Sequence, residues 1–172
     1  MCIRDRDGSV AAPTAGLHFT GELIAGLAAA GHSWAEVTLH VGYGTFKPVE
    51  MENITDHPMH SEDYSIPAPT LTAVRTAKET GRKVVGVGTT SCRVLESWAR
   101  TGETAGATRL FLYPGASFRV VDAMITNFHL PRSTLLMLVS AFTGTDLIRR
   151  AYAQAIRLEY RFYSYGDAML IV

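Results

Sequence analysis

The run Lys83-Val84-Val85-Gly86-Val87-Gly88-Thr89-Thr90-Ser91-Cys92-Arg93 decides the fold class. Its first part, Lys83–Gly88, is short, apolar and β-branched, and reads as a buried strand. Its second part opens a helix running through Trp98, with Thr89 or Thr90 as capping hydroxyl and Val94, Leu95 and Trp98 facing inward. A strand, a Gly-x-Gly turn and a capped helix form the βα unit whose backbone N–H groups and positive helix end can hold an anion, and Arg93 in the first turns adds a charge. The dinucleotide fingerprint is not met, because its third glycine would fall at Ser91. A tight βα turn of purely structural use fits the same residues.

Working outward, Thr20 caps a helix carrying Leu23, Ile24, Leu27 and Ala28, stopped at Gly31. Trp34–Val41 alternates and reads as a strand entering the turn Gly42-Tyr43-Gly44. Residues 45–69 hold Pro48, Pro58, Pro67 and Pro69 and read as a long loop with a short strand at Tyr64–Ile66, a length that points to function. A helix from Pro69 to Thr80 closes at Gly81. Strands follow at Arg109–Tyr113, before the turn Pro114-Gly115, and at Phe118–Asn127. Ser133 caps the apolar helix Thr134–Phe142, Thr145 or Asp146 caps a helix to about Glu159, and Ala168–Val172 is a closing strand. This alternation predicts an α/β domain with a layered, mixed, partly parallel sheet and flanking helices.

The 172 residues suit one domain, and 47% apolar with 19% charged residues suits a packed core rather than a disordered chain. No apolar run approaches the roughly 18 residues needed to span a bilayer. Met1–Arg6 carries alternating charges and no apolar segment, so it does not read as a secretory signal. Two cysteines, Cys2 and Cys92, make a disulfide framework improbable and point to a reducing, cytoplasmic setting. The zero net charge argues against a strongly basic nucleic-acid binder, yet it is divided. Residues 1–70 carry nine acids against three bases, and the remainder seven acids against 13 bases, of which 11 are Arg. An internally complementary surface accounts for this division at least as well as a polyanion site.

Imidazoles and carboxylates mark the candidate chemistry. His57 and His60, beside Asp56, Glu62 and Asp63, could ligate a metal in a hydrolase, although Pro58 breaks the helix such sites use. Acid–base use of His60 with Glu62 fits the spacing better. His18, His40 and His129 each stand where an apolar element meets a Gly or Pro turn, as core histidines or as members of one cleft. No nucleophile elbow occurs.

Six motifs then fall in one order: Ala12-Pro13-Thr14-Ala15-Gly16-Leu17-His18-Phe19, His40-Val41-Gly42-Tyr43-Gly44-Thr45-Phe46, Met59-His60-Ser61-Glu62, Gly88-Thr89-Thr90-Ser91, Thr126-Asn127-Phe128-His129-Leu130-Pro131 and Arg161-Phe162-Tyr163-Ser164-Tyr165-Gly166-Asp167-Ala168-Met169. Together they resemble the S-adenosylmethionine:tRNA ribosyltransferase-isomerases of queuosine biosynthesis. The resemblance covers about Asp7 to Val172 and implies that Met1–Arg6 is a non-native leader ahead of the domain at 7–172, and that family chains are roughly twice as long, with a separate β-barrel domain not represented here, so the chain is expected to be a fragment. It implies transfer and isomerisation of the ribosyl moiety of S-adenosylmethionine, a consumed cosubstrate, with no prosthetic group. The acceptor is 7-aminomethyl-7-deazaguanine at the anticodon wobble position of a tRNA with a GUN-type anticodon, and the enzyme is expected to be a monomer. On that footing His60, Glu62 and His129 are candidates for proton transfer. Thr14, His18, His40, Gly88, Thr89, Thr90, Arg93, Asn127, Tyr163, Tyr165 and Asp167 are candidates for substrate binding, and Arg119, Arg132 and Arg161 for RNA phosphates. A non-catalytic tRNA-binding module is the remaining alternative.

Overall fold

The structure is a computed structural model in which residues 9, 11–42, 49, 51, 53–54, 57–164 and 166–172 are described. The 3₁₀ turn Thr14–His18 is followed by α1 (Gly21–Ala29), β1 (Thr38–Leu39), β2 (Glu62–Ser65), α2 (Ala68–Glu79), β3 (Val85–Val87), α3 (Gly88–Thr101), β4 (Ala105–Thr108), β5 (Ala123–Asn127), α4 (Thr134–Thr143), α5 (Thr145–Arg157) and β6 (Ala168–Ile171). Two three-stranded sheets result. One, in the order β1-β2-β4, is wholly antiparallel; the other, β3-β5-β6, pairs β3 with β5 in parallel and β5 with β6 antiparallel. The mixed α/β architecture expected from the sequence is present, with its parallel part confined to β3 and β5.

Helix α3 explains why the two sheets cohere. Cys92 and Leu95 pack with Leu112, Val121, Met124, Leu138 and Val139 in the larger core, whereas Val94 packs with Leu39, Tyr64, Ile66 and Leu71 in the smaller one. A helix apolar on two sides belongs inside a protein. Its two buried charges must therefore be paired. Arg93, 5% exposed, donates through Nη1 to Glu62 Oε2 of β2 at 2.5 Å. Glu96, fully buried, receives the N–H groups of Arg119, Val120 and Val121 at 2.8–3.0 Å and Nη1 of Arg100 at 2.5 Å. One turn of α3 thus bolts the first sheet on one side and the approach to β5 on the other.

These contacts explain where the elements depart from the sequence reading. The strand expected over 118–127 begins only at Ala123, because the amides of 119–121 are committed to Glu96 rather than to a ladder. Instead of Arg109–Tyr113, the small residues Ala105–Thr108 form β4, in register with Glu62–Ser65, while Leu112 enters the core. Only Thr38–Leu39 of the run 34–41 pairs, since β2 ends at Ser65 ahead of Pro67. Val85 is 45% exposed rather than buried, β3 being an edge strand. No hydroxyl caps α3: it starts at Gly88 after Val87, and α5 likewise starts after Gly144 without a side-chain cap. Thr20 and Ser133 do cap α1 and α4, accepting from Leu23 N and Leu136 N. Helix α1 buries none of its residues. Residues 1–6, the turn at 43–44, Asp56 and Tyr165 lie outside the described residues. Among the described residues no helix is long and apolar enough to cross a membrane.

Candidate active site

The carboxyl ends of parallel strands are where open α/β sheets bind ligands, because the strand-to-helix turns there leave a crevice. Here Val87 pairs with Ile125, so the chain leaving β3 at Gly88 and the chain leaving β5 at Asn127 emerge side by side. Asn127 also pairs with Ala168, which brings the start of β6 and Asp167 to the same edge. The 3₁₀ turn Thr14–His18 lies across this end. Gly88 turns with φ +87°, a left-handed value that favours glycine, and a Cβ there would stand 3.5 Å from that of Ala15.

Asn127 organises the crevice. It is 3% exposed; its Nδ2 donates to the carbonyl of Tyr163 at 3.1 Å and to Nε2 of His18 at 3.1 Å. A carbonyl can only accept, so the Tyr163 bond fixes the orientation of the amide. Nε2 of His18 is then the acceptor, and its ring proton resides on Nδ1. The Asn127 Oδ1 is buried without a hydrogen-bond partner, an acceptor facing no donor among the described residues. Two residues on, His129 shares a 2.9 Å hydrogen bond between Nε2 and Thr126 Oγ1, and its backbone N–H donates to Tyr152 Oη at 2.8 Å. Burial pushes its imidazole down to about 4, so it is neutral at pH 7.

Asp167 accepts from the backbone N–H of Arg161 at 2.8 Å and from its Nη2 at 3.0 Å, which holds the carboxyl below the usual carboxylate range. This closes the loop 161–167, where a Cβ on Gly166 would run into the backbone of Arg161 and Phe162. Beside it opens a cleft of about 370 Å³, lined chiefly by His129, Pro131, Tyr152, Ile156, Phe162 and Tyr163.

The structure therefore brings together Thr14, His18, Gly88, Thr89, Asn127, His129, Tyr163 and Asp167 around one sheet edge, with Thr90 following in the first turn of α3. Arg93 and Glu62 stand one turn along α3 with their charges turned to each other, and Glu62 also accepts from the N–H of Gly42 at 3.0 Å. His40 follows the last residue of β1, its N–H donating to Asp63 O of β2 at 2.8 Å. His60 is exposed, and the ring of His57 packs on Phe111 at 5.7 Å. Among the described residues no three His, Cys, Asp or Glu side chains are grouped to hold a metal ion. Of the arginines, Arg119 and Arg132 are exposed and Arg161 is the exposed partner of Asp167. Sequence reasoning missed Tyr152 and Thr126. Both could have been suspected, Thr126 as neighbour of Asn127 and Tyr152 as the lone aromatic of the basic helix α5.

Parallel strand ends, a glycine turn and converging histidine, asparagine and aspartate side chains define an α/β protein with a cluster of polar side chains at the carboxyl edge of its mixed sheet. A family profile described as "Queuosine biosynthesis protein" matches residues 3–171, and the chain belongs to that family. It is 60% identical over 171 residues to a protein of Nitratidesulfovibrio vulgaris (strain DP4) named S-adenosylmethionine:tRNA ribosyltransferase-isomerase, a match spanning 97% of this chain and 46% of the relative. A protein of the same name from Sulfurihydrogenibium sp. (strain YO3AOP1) is 56% identical over 168 residues, spanning 98% and 50% respectively. The crystal structure of S-adenosylmethionine tRNA ribosyltransferase from Thermotoga maritima superposes with a TM-score of 0.78 at 48% identity, covering 92% of this chain and 51% of that one. The chain spans about half the length of the curated relatives it matches.

Proposed function

We propose that this chain carries part of the catalytic crevice of an S-adenosylmethionine:tRNA ribosyltransferase-isomerase. The ribosyl group of S-adenosylmethionine would pass to 7-aminomethyl-7-deazaguanine in the wobble position of a tRNA, in the cytoplasm, giving epoxyqueuosine and releasing adenine and methionine. The observation that supports this reading best is the 60% identity to a relative of that name, over a chain whose polar side chains meet at one sheet edge.

The chemistry needs a base for a proton acidified by the neighbouring sulfonium, donors for the departing adenine, and groups that fix the methionine carboxylate. Within the crevice His129 is the candidate proton acceptor: its ring is neutral at pH 7, but burial that pushes it down to about 4 makes it a weak base, whose cation a bound anionic group would have to stabilise. His18, with its proton on Nδ1, supplies a hydrogen-bond donor at the exposed mouth, and the unpaired Asn127 Oδ1 accepts from an amino group of a base. The uncapped start of α3 at Gly88, Thr89 and Thr90 suits a carboxylate. Arg93 and Glu62 act through position, holding α3 to β2, rather than on substrate.

The test is adenine release, followed by chromatography, from S-adenosylmethionine and tRNA bearing the 7-aminomethyl-7-deazaguanine base. The purified chain is assayed alone and combined with the rest of the Thermotoga maritima relative's length. Release in either case, lost with His129→Ala, is the expected result. Salt-dependent tRNA binding with no adenine released in either case would favour an RNA-binding module instead.

A further inference from the structure

The cleft beside the crevice differs from it in chemistry. Phe162 packs on Phe128 at 5.0 Å and edge-on to Tyr152 at 5.8 Å, so the cleft has rigid aromatic walls. Its polar groups are few, chiefly the His129 ring and the Tyr152 hydroxyl, and that hydroxyl already accepts from His129 N. Such a surface can take the flat face of a ring but offers little to read its edge.

Tyr163 stands at its mouth, half-exposed, with φ +67°, a left-handed backbone that costs a non-glycine residue about 1 kcal/mol or more. Three hydrogen bonds hold it so: Tyr163 N to Phe128 O at 3.2 Å, Gly166 N to Tyr163 O at 3.0 Å, and Asn127 Nδ2 to the same carbonyl. The Tyr163 ring meets Phe162 edge-on at 6.4 Å and leaves half of its surface to solvent at the mouth, more than packing alone requires. Two exposed arginines stand beside the lining residues. Arg132 follows the lining residue Pro131, and Arg149 shares the face of α5 that carries Tyr152 and Ile156, three and seven residues on. Both are exposed, and among the described residues neither is in an ion pair.

We infer that this cleft stacks an unpaired nucleobase of the RNA substrate next to the reacting one, with Tyr163 as platform and Arg132 and Arg149 on its flanking phosphates. The inference rests on the tRNA reading above and assigns the edge-reading groups at Asn127 to the reacting base. A stacking site without edge readers tolerates any base, which suits a neighbour of the modified nucleotide.

The probe is an anticodon stem-loop RNA carrying fluorescent 2-aminopurine next to the wobble position. Binding to this chain should quench it. Tyr163→Asn removes the ring while keeping a residue that tolerates the left-handed backbone, and should weaken binding roughly tenfold or more and abolish the quench. Tyr163→Phe should keep both. Ile156→Glu, at an exposed rim position, should weaken binding to a similar extent with the thermal midpoint unchanged. Quenching undiminished in Tyr163→Asn and Ile156→Glu would overturn the inference, as would a quench removed by S-adenosylmethionine in direct competition, which would give the cleft to the cosubstrate. Adenine release with no quench sinks the stacking site alone; quench with no adenine release sinks the ribosyl-transfer reading alone.

Discussion

Two buried side chains, Glu96 and His129, carry opposite lessons about burial. Glu96 sits in the interior yet stays ionised: burial alone would raise its carboxyl, but the N–H groups of Val121, Val120 and Arg119 together with Arg100 outweigh it and hold it below the usual range. A depressed folded value means the contribution to stability is complete above the unfolded value near 4.5 and is lost as pH falls below it through the lower folded value. Glu96→Gln should cost about 2–3 kcal/mol at pH 7, since an amide cannot accept from all four donors, and should flatten the acid limb of a urea-unfolding series. His129 has the other sign of problem. Its cation finds no compensation for burial, so below pH 6.5 the unfolded chain binds a proton that the folded one refuses. Stability should therefore fall by about 3 kcal/mol between pH 6.5 and 4 and level off beneath, a slope absent from His129→Asn. Its ring resonances, followed by NMR, should titrate near 4 rather than 6.5.

Elements here are decided as much by what a backbone must pair with as by local preference. The periodicity of α2, the hydroxyl caps of α1 and α4, and β6 were legible because each signal is local. The strands were legible only as far as their partners allowed. Ala105–Gly106–Ala107–Thr108 carries no β signal of its own and becomes a strand by lying against Glu62–Ser65. Val120 and Val121, which carry a strong one, are drawn off by a carboxylate 24 and 25 residues away. The Arg93–Glu62 pair was equally hidden, since nothing in the spacing of two charged residues 31 apart announces that they meet in the interior. That pair sets the seat of α3 on β2. Arg93→Ala, leaving Glu62 buried against only part of its bonding, should cost about 3–5 kcal/mol in chemical denaturation. The double change Arg93→Met with Glu62→Leu should recover most of that loss, because it removes both charges from the interior.

At the scale of the whole chain, the acid-rich first part and arginine-rich remainder do not simply cancel. Buried or closely paired charges account for Glu62 with Arg93, Glu96 with Arg100, Asp122 with Lys78 and Asp167 with Arg161. Among the described residues Arg75, Arg82, Arg109, Arg119, Arg132, Arg149, Arg150 and Arg157 stay exposed without an ion pair, and Arg157 bonds Gln154 Oε1 at 2.9 Å. The sequence showed the excess but not which members of it were already committed, because pairing within the fold is invisible to a running charge count. The proposed RNA surface would draw on the uncommitted ones. Each arginine that neutralises a phosphate releases condensed counterions, so the slope of log K against log salt counts the contacts, falling by roughly 0.7 to 0.9 per phosphate. Arg132→Ala and Arg149→Ala should each reduce that slope by about one for tRNA binding while leaving the thermal midpoint unchanged, whereas Arg161→Ala should reduce it less, its charge being shared with Asp167. A slope that does not change in either of the first two variants would move the RNA to another face of the molecule, and would leave the aromatic cleft without the flanking cations its proposed ligand requires.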